Sequence, residues 1–144
     1  MNIRTICSRV VASAAETESV KAGALRMAEY GVGTLVMVNE NRHPVGIVTD
    51  RDVMLRCVAE GNDPVDTPLS EIMTSPVRTL HEMSPMDEAL DAMQKVAARR
   101  LVITDDDGAV VGILSIDDVI GLVSEQLSRV GTVLRTQRRE VLGA

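Results

Sequence analysis

Val45-Gly46-Ile47-Val48-Thr49-Asp50-Arg51-Asp52-Val53 is a strand-to-helix stretch that recurs further along the chain as Val111-Gly112-Ile113-Leu114-Ser115-Ile116-Asp117-Asp118-Val119. The two stretches are 66 residues apart, and the same offset aligns residues 6–53 with residues 72–119 without a gap. The chain is therefore predicted to contain a duplicated unit. Because two copies are fewer than a solenoid needs, we expect them to pack face to face as a pseudo-twofold pair.

The second copy shows the order of the elements most clearly. Its first helix is predicted to start with Ser84 as the N-cap and Pro85 at the first helical position. Residues 100–104 and 110–114 are predicted strands of one hairpin, because the acidic, glycine-ending segment 105–108 between them has turn chemistry. Acidic residues after Ser115 then favour the start of another helix. The predicted buried stripe of the first helix comprises Met86, Ala89, Leu90, Met93 and Ala97.

The first copy follows the same order of strand, helix, strand, strand, helix. Val20, Ala24 and Met27 lie at helical spacing, residues 34–38 and 45–49 are predicted strands, and a helix is expected from about residue 50 to residue 59. The expected fold is therefore α/β (α+β). We divide the chain into a first domain at 3–60, a linker at 61–71, a second domain at 72–124 and an amphipathic helical tail at 125–144.

The composition excludes several classes of protein. Tyr30 is the sole aromatic residue among 144, so the stacking platforms of single-stranded nucleic-acid readers are absent. No apolar run has the length of a membrane span or of a signal peptide, which predicts a cytoplasmic location. Cys7 and Cys57 are expected to be free, buried thiols, since two cysteines make neither a disulfide framework nor a zinc site.

The repeated Gly-apolar-apolar-Thr/Ser-x-x-Asp motif resembles that of the cystathionine-β-synthase (CBS) domain, and two copies in tandem resemble a Bateman module. The resemblance covers about residues 3–124. It implies a regulatory module. The sequence contains no nucleophile elbow, phosphate-binding loop or dinucleotide-binding fingerprint, and its two histidines lack the spacing of metal ligands, so we expect neither catalytic residues nor a catalytic cofactor or metal. The resemblance also implies that clefts between the copies bind an adenosine-containing ligand such as AMP, ADP, ATP, NAD or S-adenosylmethionine.

The motif residues have chemistry that suits such a ligand. The carboxylates of Asp52 and Asp118 can accept charge-assisted hydrogen bonds from both ribose hydroxyls. The hydroxyls of Thr49 and Ser115 lie at a helix N-terminus, where backbone N–H groups favour a phosphate. The alternative interpretation is structural: the hydroxyls are N-caps and the aspartates only place negative charge in the first helical turn.

The resemblance adds further candidate ligand contacts in both copies, and it makes the two clefts unequal. Arg99 and Arg100 resemble a basic pair that contacts phosphates, although they could also be a solvated pair. Gly33 and Thr34 provide no charge at the matching positions, and Arg51 is matched by an aspartate. The added candidates are Val11, Ser13, Gly33, Leu35 and Arg51 in the first copy and Val77, Thr79, Arg99, Arg100 and Leu101 in the second.

The tail suggests how the protein assembles. Val123, Leu127, Val130 and Leu134 lie at helical spacing, and the tail from residue 121 carries a net charge of +2 against −8 on residues 1–120. We expect a homodimer formed mainly by the helices after each motif, with an unidentified protein as the regulated partner. Two alternatives remain at this stage: a ligand-free dimerisation scaffold, and nucleic-acid binding through the basic tail, which the acidic body disfavours.

Overall fold

Each copy of the repeat forms a three-stranded sheet with two helices, in the order predicted from its sequence. A computed structural model describes residues 2–143. The first copy contains β1 (Ser13–Ala14), α1 (Val20–Tyr30), β2 (Thr34–Val38), β3 (Pro44–Thr49) and α2 (Asp50–Asp52), which continues as a π-helix over Val53–Val58. The second copy contains β4 (Thr79–His81), α3 (Met86–Val96), β5 (Arg100–Thr104), β6 (Val110–Ser115) and α4 (Ile116–Val141).

The two sheets have the same topology and the same register. In each sheet the first strand pairs in parallel with the second, and the second and third form the predicted antiparallel hairpin. Val36 lies opposite Ile47 in the first sheet, and Val102 lies opposite Ile113 in the second, 66 residues further on. Both hairpins also change register just before the turn. The duplication in sequence is therefore a duplication in structure.

The sheets pack on each other through a shared layer of β-branched side chains. Val36, Val102 and Val110 are buried in this layer. Such short, stiff side chains pack well on a pleated surface. Val11, Val38, Ile47, Val77 and Ile113 are partly buried against the same layer.

A short segment before each copy crosses to the other copy. Ile3 and Cys7 are buried in the core of the second copy, whereas Leu69 and Ile72 are buried in the core of the first. Ser8 exchanges two backbone hydrogen bonds with Ile113, at 2.8 and 3.0 Å. At the matching place Thr74 exchanges two with Ile47, at 2.9 and 3.1 Å. This exchange brings the start of each copy to the motif strand of the other.

Three local expectations were wrong. Pro85, not Ser84, is the N-cap of α3, because the Pro85 backbone is extended and the helix starts at Met86. The predicted stripe on α3 is narrower than expected: Ala89 and Met93 are buried, but Leu90 is exposed. Ala97 is also exposed: it is the left-handed C-cap that ends the helix, just before the chain enters β5.

Several other features agree with the sequence or extend it. Both cysteines are buried and free, and burial raises the pKa of the Cys7 thiol above its ordinary value. The helix α4 runs from the second motif into the tail without a break, so the tail is part of one 26-residue helix. None of the helices in residues 2–143 combines the length and apolar character needed to cross a membrane.

Candidate ligand-binding site

Two clefts are lined by residues from both copies, and we name them cleft A and cleft B. Cleft A has a volume of about 230 Å³ and contains the second motif. Cleft B is larger, at about 400 Å³. The residues lining cleft A are Ser8, Val10, Ala12, Val32, Gly33, Thr34, Arg100, Ile113, Ser115, Asp117 and Asp118. Those lining cleft B are Ile47, Thr74, Pro76, Val77, Arg78, Val96, Ala98, Arg100 and Val102.

Cleft A is composite because of the exchange of the leading segments. Residues 8–12 of the first copy lie beside β6 of the second, and the turn between α1 and β2 completes the opposite wall. The motif residues Ser115 and Asp118 stand where β6 ends and α4 begins. A ligand in this cleft therefore contacts the beginning of one copy and the motif of the other.

The second motif forms a capping box at the start of α4. The Ser115 hydroxyl accepts a hydrogen bond from the Asp118 backbone N–H at 3.2 Å, and Asp118 Oδ2 accepts one from the Ser115 N–H at 2.8 Å. Both partners thus satisfy helix N–H groups that would otherwise lack acceptors. Among residues 2–143 no group donates to Asp118 Oδ1. That oxygen is left for a further donor at the cleft.

Thr34 lines the same cleft and carries a buried hydroxyl without a hydrogen-bond partner among the described residues. The residue is only 7% exposed, and its Oγ1 has no hydrogen-bond partner among the described residues. A buried hydroxyl without a partner costs about 1–3 kcal/mol. Thr34 stands at the start of β2, where its backbone pairs with Thr49. Because Thr34 lines cleft A, a polar ligand group that reaches this hydroxyl would supply the missing partner.

Gly33 permits a close approach at the other side of the cleft. A Cβ atom at this position would lie 2.9 Å from Asp50 Oδ2, and the Gly33 carbonyl accepts a hydrogen bond from the Asp50 N–H at 3.0 Å. A larger residue would force the Asp50 side chain to move. In the second copy the matching residue is Arg99, whose carbonyl accepts the equivalent bond from Ile116 N–H at 2.8 Å.

The charges of cleft A are mixed. Asp117 and Asp118 line it together with Arg100. Arg99 does not line either cleft; its guanidinium lies 3.7 Å from Asp117 Oδ1, and both side chains are more than 70% exposed. An ion pair this exposed is weak. Of the predicted basic pair, only Arg100 is therefore placed in the cleft walls.

Cleft B has a different chemical character. Arg78 and Arg100 border it, no carboxylate of residues 2–143 lines it, and the remaining walls are mainly aliphatic. Thr49 and Asp52 form the same capping box as the second motif, at 3.2 and 2.8 Å, but neither residue lines the cleft. Arg56 Nε lies 3.7 Å from Asp52 Oδ1, and the same side chain donates to the Ile72 carbonyl at 3.0 Å. The first motif is thus tied to its own helix and to the leading segment of the second copy.

The structure separates the predicted site residues into several groups. Gly33, Arg100, Ser115 and Asp118 line cleft A, and Val77 and Arg100 line cleft B. Grouping the candidates by copy is wrong, because each cleft combines segments of both copies. The others line neither cleft. Leu35 and Leu101 are core residues, Val11 packs between the sheets, and Ser13 lines a separate depression. Three residues are exposed, Thr79, Arg51 and Arg99, and Thr49 and Asp52 form the first capping box.

Sequence reasoning missed several residues that line the two clefts, most of them apolar. Ser8, Val10 and Ile113 line cleft A, and Ile47 and Val96 line cleft B, although none was a candidate. The repeated motif could have identified two of them, because it contains Ile47 in the first copy and Ile113 at the matching position of the second. It could not show that a segment before the first strand lies beside the second motif.

The family is shown by comparison with known proteins. The sequence profile of the CBS domain matches residues 3–58 and 69–125. An uncharacterized protein of Methanopyrus kandleri, MK0525, is 34% identical over 120 residues, which are 83% of this chain and 61% of that protein. The chain therefore spans less than two thirds of the length of that relative.

Two solved structures have the same fold. The CBS domain protein PAE2072 from Pyrobaculum aerophilum, complexed with AMP, is 31% identical, with 82% of this chain and 89% of that chain covered and a TM-score of 0.73. The CBS domain pair of protein MJ0100, in complex with 5-methylthioadenosine and S-adenosyl-L-methionine, is 27% identical, with 88% and 98% covered and a TM-score of 0.77. The chain belongs to the CBS domain family and carries two copies of that domain.

Proposed function

We propose that cleft A binds an adenosine-containing ligand and that the protein is a regulatory sensor of that ligand. The similar CBS pairs are in complex with AMP in one case and with 5-methylthioadenosine and S-adenosyl-L-methionine in the other. Those ligands share the adenosine group. The proposal extends to a cytoplasmic homodimer that acts on a separate regulated protein rather than as a catalyst.

One observation carries the proposal: two residues that line cleft A, Asp118 and Thr34, each carry a polar atom without a hydrogen-bond partner among residues 2–143. Asp118 Oδ1 accepts no hydrogen bond within residues 2–143, and the Thr34 hydroxyl is buried without one. A ribose hydroxyl can donate to the carboxylate, and such charge-assisted bonds are worth about 1.5–3 kcal/mol. A second polar group of the ligand can satisfy Thr34. The aliphatic side chains of Val10, Val32 and Ile113 provide walls for the apolar faces of the base.

The other predicted contacts keep narrower roles. Arg100 is proposed as the phosphate contact, since a guanidinium binds phosphate in bidentate fashion and this side chain lines both clefts. Ser115 is proposed to lie near the ligand as well as to cap α4. For a second ligand in cleft B, Val77 and Arg78 are the proposed contacts, and Thr49 and Asp52 become contacts only if Arg56 moves away.

The Thr34→Val substitution tests the proposal directly. Valine has nearly the same shape but no hydroxyl, so the free protein loses an unsatisfied buried group and its free energy of unfolding should rise by about 1 kcal/mol. Ligand binding should weaken by about tenfold, because the bound ligand then lacks a partner. Calorimetric titration with AMP, ATP, NAD, GTP and S-adenosylmethionine measures binding, and urea unfolding measures stability.

Thr104→Val is the matched control. Thr104 is also buried in a sheet, but its hydroxyl donates to the Leu80 carbonyl at 3.4 Å and the residue lines neither cleft. This variant should lose stability and bind ligand normally. The proposal fails if Thr34→Val binds every adenosine ligand as tightly as the parent does.

A second candidate function, the ligand-free scaffold, is supported by the capping boxes. Both motif aspartates accept backbone hydrogen bonds without any ligand, so the motif is explained in part by helix capping alone. A scaffold requires the core and the exposed helices but no adenosine. Absence of binding to all five compounds at millimolar concentration would favour it.

A further inference from the structure

The helix α4 is longer than the domain to which it belongs. Val119 is its only buried residue among those described, whereas Ile120, Leu127 and Leu134 are 55%, 67% and 60% exposed. Twenty-six residues make a helix about 39 Å long. Most of this length does not pack on either copy of the repeat.

Apart from Val133, the large exposed apolar residues of α4 lie on one seam. With Gln137 included, the spacing along this seam alternates between three and four residues, which is the a/d pattern of a coiled coil. The seam comprises Ile120, Val123, Leu127, Val130, Leu134, Gln137 and Val141. Gln137 is its single polar member. Three heptads of this pattern favour pairing with another helix that has the same seam.

The charges along α4 are segregated. Residues 116–125 contain three acidic residues, Asp117, Asp118 and Glu125, and no basic residue. Residues 126–141 contain four arginines and one glutamate, a net charge of +3. Two parallel helices would place like charges side by side, whereas two antiparallel helices place the acidic segment of each helix opposite the basic segment of the other. The helix dipoles also favour the antiparallel arrangement.

We propose that the α4 helices of two copies of this chain pair as an antiparallel coiled coil. In the central register Leu127 of one copy faces Val130 of the other. The same register places Leu134 opposite Val123, and Ile120 opposite Gln137 at the two ends. This proposal goes beyond the expected homodimer by fixing the orientation and register of its helices, and it does not depend on ligand binding.

The arrangement also connects assembly with cleft A. The arginine-rich end of one helix, with Arg135, Arg138 and Arg139, lies along the acidic beginning of the other. Asp117, which is 72% exposed, belongs to that acidic beginning and also lines cleft A. The second copy therefore contributes positive charge at the rim of cleft A.

Disulfide crosslinking separates the two orientations. Val123→Cys and Leu134→Cys chains are purified separately, mixed, and oxidised by air. The antiparallel seam predicts a disulfide-linked dimer in the mixture and none in either variant alone. A parallel seam predicts crosslinking of each variant with itself, which would overturn the proposal. Absence of any crosslink in the mixture would overturn it as well.

Two controls test whether a disulfide-linked dimer forms through the introduced cysteines on the seam. The parent chain reports background from Cys7 and Cys57, which are both buried. Ser128→Cys lies on α4 but outside the seam, and it should not crosslink in either orientation.

A charge-reversal variant provides an independent test, because it should weaken the dimer if the pairing is antiparallel. The double substitution Arg138→Glu with Arg139→Glu should weaken dimerisation by at least tenfold in light scattering, because the reversed end then faces acidic residues. In a parallel dimer the same change does not place it against the acidic beginning of the other helix. Unchanged or tighter dimerisation would therefore contradict the antiparallel pairing.

Discussion

Asp118 and Ser115 hold each other through two reciprocal hydrogen bonds, one to each backbone N–H, at 2.8 and 3.2 Å. The pair therefore starts α4 and at the same time lines cleft A. A substitution that removes the aspartate acts on stability and on binding together. The two roles can be separated because the cap uses Oδ2, whereas Oδ1 faces no donor among the described residues.

Asp118→Asn should weaken binding of adenosine ligands by about tenfold while it leaves the stability nearly unchanged. Its amide oxygen can still accept the Ser115 N–H, but the negative charge that strengthens a bond from ribose is lost. Asp118→Ala should in addition lower the free energy of unfolding by about 1 kcal/mol through loss of the cap. Calorimetry and urea unfolding measure the two effects. Asp52→Asn is the matched control, and if it weakened binding instead, the ribose site would lie at the first motif.

Arg100→Gln should weaken AMP binding more than adenosine binding, by about tenfold in their ratio. The guanidinium is proposed to contact the phosphate, so its removal affects only the phosphorylated ligand, and raising the salt concentration should act in the same direction. Titration of both ligands at two salt concentrations is the measurement. Arg99→Gln provides the comparison, because Arg99 lines neither cleft. Equal losses for AMP and adenosine would assign Arg100 to another part of the ligand.

Local features of the fold could be predicted from the sequence, because their causes are local. The turn segment 105–108, the spacing of Ala89 and Met93, and the cap at Ser115 each depend on residues within a few positions of one another. The crossing of Ile3 and Cys7 to the second copy has no such signal. In a duplicated chain the two copies offer nearly the same apolar surface to a leading segment. The repeat pattern is therefore consistent with packing of that segment on its own copy or on the other copy.

Fewer of the site residues could be predicted, because the clefts depend on contacts between segments that are distant in the sequence. The motif located Ser115 and Asp118, which do line a cleft, but it gave equal weight to Thr49 and Asp52, which do not. The two motifs also differ in their surroundings, because Arg56 donates to the Ile72 carbonyl and lies beside Asp52. Its counterpart by the 66-residue offset is Leu122. Only the packing of the segment that leads into the second copy shows what that arginine contacts.

Glu18→Gln should reduce stability at neutral pH but not in acid. The Arg26 guanidinium donates to both Glu18 oxygens, at 2.7 and 2.9 Å, and lowers the pKa of that carboxyl below its ordinary value of 4.5. The stabilisation is therefore present above pH 4.5 and is lost as the pH falls through the lowered pKa. Both side chains are about one third exposed, so we expect less than about 1 kcal/mol.

Urea unfolding of parent and variant across this pH range measures the effect. Glu60→Gln is the control, because Glu60 is exposed and forms no ion pair among the described residues. A stability difference that persisted at the acidic end would show that Glu18 acts through packing instead of charge.

Ala97→Gly should stabilise the protein, and Gly31→Ala should destabilise it. The two residues are the left-handed C-caps of α3 and α1, with φ of 49° and 64°, and they occupy matching positions of the repeat. The left-handed conformation costs about 1–2 kcal/mol for alanine, partly offset by the larger unfolded-state entropy of glycine, about 0.4–1 kcal/mol. A net effect of about 0.5–1 kcal/mol is expected at each position. A Cβ at Gly31 would have no neighbour within 4 Å among the described residues beyond the two adjacent in the chain, and Ala97 is exposed, so packing contributes little to either change. Urea unfolding of both variants should give effects of opposite sign, and a loss of stability in Ala97→Gly would contradict the expected strain at this cap.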